Sequence, residues 1–296
     1  MVRMRKLLSV LIALSMLLSC APAVLAEAET VTITILESSD LHGSIASYDY
    51  AVDAPTANTG LARVASVVKA EREKDPDLLL LDCGDSIQAN MISLFNGDVV
   101  HPMINAMNFV GYDVWELGNH EFNYDFDMLE RAISFFEGDV LIANAYNADG
   151  TRWQKPYSIF EVKGVKVGIF GIDAPHITQW EASAPSHYNN MTFTTPMEET
   201  GNMVAELRDQ VDVLIGLVHY GRDGEYGNGN SDPCRPVHMF LLFYLVMKRD
   251  KRQWRAVPQS HSTCFPRHSG ILDKSPRRHS RQVSVMRSSS RPLRAV

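Results

Sequence analysis

Apolar and polar positions follow two alternating periods between residues 31 and 218. Val31–Leu36 has the every-second-residue alternation of a strand. Asp77–Asp82 encloses a continuous apolar run, which is typical of a strand buried on both faces. Between them, Gly60–Lys74 carries apolar residues at helical spacing and is closed by Pro76. The pattern therefore predicts a strand, a helix and a second strand.

The same alternation continues along the chain. It predicts helices at Val100–Val110, Phe126–Phe136 and Pro196–Gln210, single strands at Asp113–Leu117, Val140–Ala143 and Val211–Val218, and a hairpin of Tyr157–Val162 with Val165–Ile172. Strands that alternate with helices indicate an α/β sandwich with a largely buried sheet. In such folds the functional site lies at the carboxyl ends of the strands.

The pattern stops after Asp232. Residues 233–296 contain one apolar stretch, Met239–Met247, within basic, Ser-rich and Pro-rich sequence that has no helical or strand period. The charge changes at the same place: residues 1–232 carry 14 Lys/Arg against 33 Asp/Glu, and residues 233–296 carry 14 against 2. We predict a domain over 27–232 and a basic, disordered tail over 233–296, which either binds anions or is foreign to the domain.

The N-terminus has the features of an export signal. Basic residues precede the apolar run Leu7–Leu18, and small residues lead to a cleavage position after Ala26. Residues 1–26 are therefore predicted to be a signal peptide, and the mature chain is expected in the bacterial periplasm, on the cell surface or outside the cell. Lipid anchoring through Cys20 is the less favoured alternative. No integral membrane span is expected after the signal is removed, because no later apolar run is long enough.

Four short polar segments each follow a predicted strand. They are Asp40-Leu41-His42-Gly43, Gly84-Asp85, Gly118-Asn119-His120-Glu121 and Val218-His219-Tyr220-Gly221. Each alone has an ordinary structural interpretation, as a turn or a packed histidine. Together they supply what two divalent ions about 3.5–4 Å apart require: a bridging carboxylate with oxygen and imidazole ligands on rigid strand ends. Asp85 is the natural bridge.

These segments resemble the calcineurin-like metallophosphoesterase superfamily, and within it the secreted nucleotidases, over about residues 31–232. Further motifs are similar to the 2′,3′-cyclic-nucleotide 2′-phosphodiesterase/3′-nucleotidase branch: Tyr48-Asp49-Tyr50, His101-Pro102, Asn105-Ala106-Met107-Asn108 and Gly118 to Tyr124. Asn123 also favours this branch, because an Asp that orients the catalytic histidine is usual there in the 5′-nucleotidase branch. The resemblance implies an α-β-β-α sandwich.

The resemblance also implies roles for individual residues. One ion would take Asp40, His42 and Asp85, and the other would take Asp85, Asn119 and His219. His120, next to Asn119, would steady the transition state during in-line attack by a metal-activated water. The mixed nitrogen and oxygen ligands suit Mn, Zn or Fe without selecting one.

The chain departs from the family after residue 232. Family members continue with a Gly-His-x-His or Gly-His-x-Gln segment and a C-terminal substrate domain, and neither follows here. We therefore expect a sandwich that is incomplete on its C-terminal side, with activity in doubt, and we hypothesise a reading-frame shift near codon 232.

Nucleotides are the expected partners, and nucleic acid is not expected. One alternative is a 5′-nucleotidase or sugar-nucleotide hydrolase. Another is an inactive remnant whose basic tail binds anionic polymers.

Overall fold

The computed structural model describes residues 31–50, 52–56 and 59–220, and the backbone of three later strands, 241–242, 254–259 and 283–290. The strands in chain order are β1 (Ile33–Ser38), β2 (Tyr48–Asp49), β3 (Ala54–Pro55), β4 (Leu79–Cys83), β5 (Val114–Glu116), β6 (Asp139–Leu141), β7 (Ala145–Tyr146), β8 (Tyr157–Val162), β9 (Val165–Asp173), β10 (Thr192–Phe193), β11 (Val213–His219), β12 (Leu241–Leu242), β13 (Trp254–Gln259) and β14 (Val283–Ser290). The α-helices are α1 (Leu61–Arg72), α2 (Pro102–Val110), α3 (Phe126–Phe135), α4 (Ile177–Trp180) and α5 (Pro196–Leu207). Three 3₁₀ helices lie at Asn90–Phe95, Asn119–Asn123 and Pro185–Tyr188.

Two sheets form the centre of the fold. In the first, β1, β4, β5 and β6 run parallel in that order, and α1, α2 and α3 form the crossovers between them. In the second, β9 pairs antiparallel with β8 and parallel with β11, from Val213 opposite Val167 to His219 opposite Asp173. The parallel strands of each sheet therefore end at a common edge.

The side chains of β4 explain its continuous apolar run. Leu79 and Leu81 point into a core shared with Ile169 and Ile215 of the second sheet, whereas Leu80 points the other way, into the core beneath α1, α2 and α3. A strand with helices on one face and a sheet on the other needs apolar residues at every position.

On the far side of the second sheet, α5 packs Met203 and Leu207 against Phe170 of β9 and Leu214 of β11. The layers are thus helices, sheet, sheet and helix, which confirms the predicted α-β-β-α sandwich.

The predicted strands and helices between residues 31 and 218 are confirmed, with ends that shift by a few residues. Short elements without a long period were missed, among them α4 and the pair formed by β7 and β10.

The predicted basic, disordered tail over 233–296 stays a prediction, and three described segments of that range are strands. There β14 pairs antiparallel with β1, β13 pairs with β14, and β12 pairs with β11. A physical reason is that β1 and β11 each present a row of backbone donors and acceptors on their outer side, which a further strand can pair whatever its side chains. The predicted signal peptide and Cys20 lie outside the described residues.

Among the described helices, none is both long and apolar enough to cross a bilayer.

Candidate metal centre

The predicted ligands lie at the carboxyl ends of strands from both sheets. Asp40 and His42 follow β1, Asp85 follows β4, the 3₁₀ helix that begins at Asn119 follows β5, and His219 ends β11. Because the parallel strands of each sheet end at a common edge, residues far apart in the sequence meet there.

The loops after β1 and β4 are joined along their backbones. Asp40 N–H donates to the carbonyl of Gly84 at 3.0 Å, and His42 N–H donates to that of Asp85 at 2.8 Å. Asp40, His42 and Asp85 all have left-handed backbones, with φ of 53°, 45° and 58°. Left-handed backbone is uncommon in residues other than glycine and costs energy. The folded structure therefore holds these loops in a shape that they would not adopt alone.

The loops after β4 and β5 approach each other even more closely. Gly84 has φ of +84°, and a Cβ added there would lie 2.4 Å from the backbone nitrogen of Gly118 and 3.1 Å from Nδ1 of His219. A Cβ on Gly118 would lie 2.5 Å from Oδ1 of Asp85. Only glycine fits at these two positions.

Three imidazoles converge on one carboxylate oxygen. Oδ2 of Asp85 lies 3.2 Å from Nε2 of His219, 3.8 Å from Nε2 of His42 and 4.0 Å from Nε2 of His120. The other oxygen, Oδ1, accepts a hydrogen bond from the backbone N–H of His120 at 2.8 Å. Asp40 adds a second carboxylate, with Oδ1 at 3.7 Å from Nε2 of His42. The structure thus brings these five residues together.

Asn119, the remaining predicted ligand, is half-buried between Gly118 and His120, both of which contact Asp85. Its neighbours therefore place it at the same edge.

The electrostatics of the site centre on Asp85. Burial opposes its ionisation, but the positive charge of His219, His120 and His42 holds its pKa well below the usual range. Burial likewise opposes a charged His219, but Asp85 raises the pKa of His219 well above its ordinary value. His42 differs, because burial outweighs the nearby carboxylates and lowers its pKa. The centre therefore contains an ionised acid, a strongly basic imidazole and a weakly basic one.

These residues fit a divalent metal site. Donor atoms of Asp40, Asp85 and His219 all lie within 4.8 Å of one another, and all three residues are buried. Nδ1 of His219 contacts the carbonyl oxygen of Cys83 at 2.6 Å, so Nδ1 carries the proton and Nε2 is left for a ligand bond. Carboxylate and imidazole donors together suit Mn, Zn or Fe.

A second group of possible ligand atoms, from Cys83, Glu116 and His219, also lies within 4.8 Å. It suits a metal less well, because burial raises the pKa of the Cys83 thiol well above its usual value, and a metal binds the thiolate. Cys83 is fully buried at the end of β4.

Glu121 is a structural part of the site for which the sequence motifs predicted no role. Its fully buried carboxylate accepts four backbone hydrogen bonds: Oε2 from Asp85 and Gly118 at 2.7 and 2.8 Å, and Oε1 from Ser86 and Ile87 at 2.6 and 3.1 Å. Burial, reinforced by Asp85, raises its pKa to about 7, against the effect of the donors. The sequence does contain a signal for this role. Glu121 lies three residues after Gly118, which precedes the 3₁₀ helix, and a Glu at that spacing is typical of a capping box.

The two-sheet sandwich, with a carboxylate approached by three imidazoles at its strand ends, is the arrangement of the metallophosphoesterase fold. The comparisons with known proteins agree. The chain belongs to the calcineurin-like phosphoesterase family, whose model matches residues 33–245.

Its relatives include nucleotidases of more than one kind. It is 32% identical over 240 residues to the trifunctional nucleotide phosphoesterase protein YfkN of Bacillus subtilis (strain 168), covering 74% of this chain and 16% of that protein. It is 31% identical to a 2′,3′-cyclic-nucleotide 2′-phosphodiesterase/3′-nucleotidase of Salmonella typhimurium, covering 77% and 37%. It is 29% identical to a 5′-nucleotidase of Vibrio cholerae, covering 76% and 40%. The match thus spans well under half of each relative's length.

The crystal structure of calcineurin-like phosphoesterase YfkN from Bacillus subtilis superposes with a TM-score of 0.61 at 32% identity. The superposition covers 65% of this chain and 63% of that one.

Proposed function

We propose that this chain is an exported, metal-dependent phosphoesterase that hydrolyses 2′,3′-cyclic nucleotides and 3′-nucleotides. The observation that carries the proposal is the convergence of His219, His42 and His120 on one oxygen of Asp85. Such a set of donors is what two-metal hydrolysis of a phosphate ester requires.

In this proposal Asp40, His42 and Asp85 hold one divalent ion, and Asp85, Asn119 and His219 hold a second. When bound, the ions supply a water of lowered pKa and neutralise the charge on the phosphoryl oxygens. Asp85 contributes as an ionised carboxylate between the two groups of ligands. His219 contributes through Nε2, since its other nitrogen is committed to the carbonyl of Cys83.

His120 has a different role from the ligands. Its backbone N–H holds Oδ1 of Asp85, and its ring is more exposed than those of His42 and His219. A partly exposed imidazole beside the metal ligands is placed to donate a proton to a phosphoryl oxygen or to the leaving group.

The substrate class rests on the named relatives and on Asn123. Both a cyclic-nucleotide phosphodiesterase/3′-nucleotidase and a 5′-nucleotidase are similar to this chain, and Asn123 supports the first. The assay therefore includes 2′,3′-cyclic AMP, 3′-AMP and 5′-AMP. Preference for 5′-AMP would transfer the assignment to the 5′-nucleotidase branch.

Export is proposed from residues 1–26. Mass spectrometry of the secreted chain should find Glu27 as the first residue. A lipid-modified N-terminus at Cys20 would show anchoring instead, and an uncleaved chain in the cell would refute export.

The tail forms a separate part of the proposal. We propose that residues 233–296 arise from a frame shift, so that a family-like sequence is encoded in another phase beyond codon 232. Sequencing of the gene and its flanking region tests this, and the absence of such a frame refutes it.

The deciding experiment measures hydrolysis of the three nucleotides by the purified chain, with Mn²⁺ and with a chelator. We expect metal-dependent turnover that is lost in Asp85→Ala and kept in Asp209→Ala, a control at an exposed acid remote from the site. A well-folded chain that binds Mn²⁺ without turning over any nucleotide would refute the enzymatic function. The remaining interpretation would then be an inactive remnant of such an enzyme.

A further inference from the structure

A chain of hydrogen bonds leads away from His120 on the side opposite Asp85. Nδ1 of His120 contacts Oδ1 of Asn123. Nδ2 of Asn123 donates to Oε1 of Glu181 at 2.8 Å, and Oε2 of Glu181 contacts Nδ1 of His187 at 2.8 Å. We call these four residues the His120 relay. It joins the 3₁₀ helix after β5 to the segment that follows α4.

The carboxylate sets the direction of every bond in the relay. An ionised Glu181 only accepts hydrogen bonds, so Asn123 must turn its NH₂ group towards Glu181 and its carbonyl oxygen towards His120. A carbonyl oxygen also only accepts, so Nδ1 of His120 must carry a proton. His187 donates from its own Nδ1 to the other oxygen of Glu181.

The consequence for His120 is a defined tautomer. With the proton of the neutral ring on Nδ1, Nε2, which lies 4.0 Å from Asp85, is the nitrogen that takes up a second proton and can then donate it to a substrate. Asn123 alone does not decide this, because an amide that is free to rotate can present either NH₂ or oxygen to the ring. The side chains of Glu181 and His187 are 14% and 19% exposed, and the bond from Asn123 to Glu181 is partly buried.

We propose that Glu181, supported by His187, is a positioning residue that sets the tautomer of His120 through Asn123. This inference deepens the proposed phosphoesterase function and rests on it for its catalytic meaning. The negative charge that orients the imidazole is then on Glu181, which reaches His120 through Asn123. With an Asp at position 123 the charge would contact the imidazole directly.

The test reads the tautomer directly. The full chain is labelled with ¹⁵N-histidine, and long-range ¹H–¹⁵N spectra identify the protonated nitrogen of His120, whose signals are absent in His120→Ala. In the unsubstituted chain the proton should be on Nδ1. In Glu181→Gln the carboxamide can donate to Asn123 and turn it, so the Nδ1–H form should be lost or mixed with the Nε2–H form.

Glu130→Gln is the matched control. Glu130 is an acid on the neighbouring helix α3 that accepts a hydrogen bond from Nε1 of Trp153 at 2.7 Å and lies outside the relay. Its substitution removes the same charge and should leave the His120 tautomer unchanged.

A double substitution provides a rescue. In Asn123→Asp with Glu181→Gln, the acid at 123 accepts from Nδ1–H of His120 and also accepts from the carboxamide at 181, so every bond is again satisfied. The Nδ1–H tautomer should return. If the chain turns over nucleotides, kcat should fall on the order of tenfold in Glu181→Gln with KM unchanged, and recover in the double variant.

The outcomes separate this inference from the proposed function. A chain without turnover refutes the function, while the tautomer still decides the inference. An unchanged His120 tautomer in a folded Glu181→Gln chain overturns the inference even if the enzyme is active. Failure of both Glu181→Gln and the double variant to fold would assign the relay to folding and would also overturn it.

Discussion

His101 provides a test of the electrostatics that is independent of the metal centre. It is the N-cap of α2, where its Nδ1 accepts a hydrogen bond from the backbone N–H of Met103 at 3.3 Å. The ring is buried, and burial, followed by the charge of Arg131, lowers its pKa to about 4. Protonation of Nδ1 would also break the cap, so the fold requires the neutral ring.

The sign of the pH effect follows from this lowered pKa. An unfolded chain binds the proton near the ordinary histidine pKa of about 6.5, whereas the folded chain resists it down to about 4. The stabilising contribution is therefore complete above pH 6.5 and is lost as the pH falls towards 4. Between pH 7 and pH 5 the linkage relation gives a loss of about 2 kcal/mol from this one group.

The perturbation that tests it is His101→Asn. Asparagine is a good N-cap that does not titrate, so the variant should be nearly as stable as the unsubstituted chain at pH 7. Urea unfolding of both proteins in the presence of chelator measures how far the unfolding free energy falls from pH 7 to pH 5. This fall should be about 2 kcal/mol smaller in the variant. All other titrating groups are common to both proteins and cancel. Equal drops in the two proteins would refute the argument.

Three further outcomes are expected at the metal centre. His120→Ala should reduce kcat by about 10²–10⁴-fold with unchanged metal content by mass spectrometry, and loss of metal would contradict its assignment as a non-ligand. Gly84→Ala should lower the unfolding free energy by about 3 kcal/mol or more, because the new Cβ would clash with the backbone of Gly118 at a residue of positive φ. Gly97→Ala is the control, because a Cβ there meets open space. Its unfolding free energy should change by no more than about 0.5 kcal/mol. Glu121→Gln should cost about 2–4 kcal/mol in urea unfolding, because in either orientation its NH₂ group would face two backbone donors. Unchanged stability would show that the carboxylate is not needed.

The sequence was sufficient to predict the layers of the fold and the edge at which the site lies. The run Asp77–Asp82 is typical of a strand buried on both faces, and the Gly-Asp pair directly after it was therefore expected at the carboxyl end of that strand. That His42, His120 and His219 lie at the same edge as Asp85 is consistent with the same argument, because His219 ends a strand and the other two lie in loops that follow strands.

The contacts that hold the site in place were not predictable in this way. Glu181 and His187 lie in short helical segments without a usable period, and Glu181 is 58 positions from Asn123 in the sequence. A hydrogen bond over that separation depends on the folded path of the chain. The same is true of β14, which pairs with β1 from the far end of the chain.

The buried acids around the site show why a cation would be drawn to one point in it. Burial raises the pKa of Asp82 to about 8, and burial also raises the pKa of Glu116 and Asp173 well above the usual range. Asp82 is therefore largely protonated at neutral pH, and burial disfavours the charged forms of Glu116 and Asp173. Asp85 is buried as deeply, but the imidazoles hold its pKa low, with His219 having the largest effect. Since only an ionised carboxylate attracts a cation strongly, the lowered pKa of Asp85 keeps a negative charge at the point that the three histidines approach, beside the second carboxylate of Asp40.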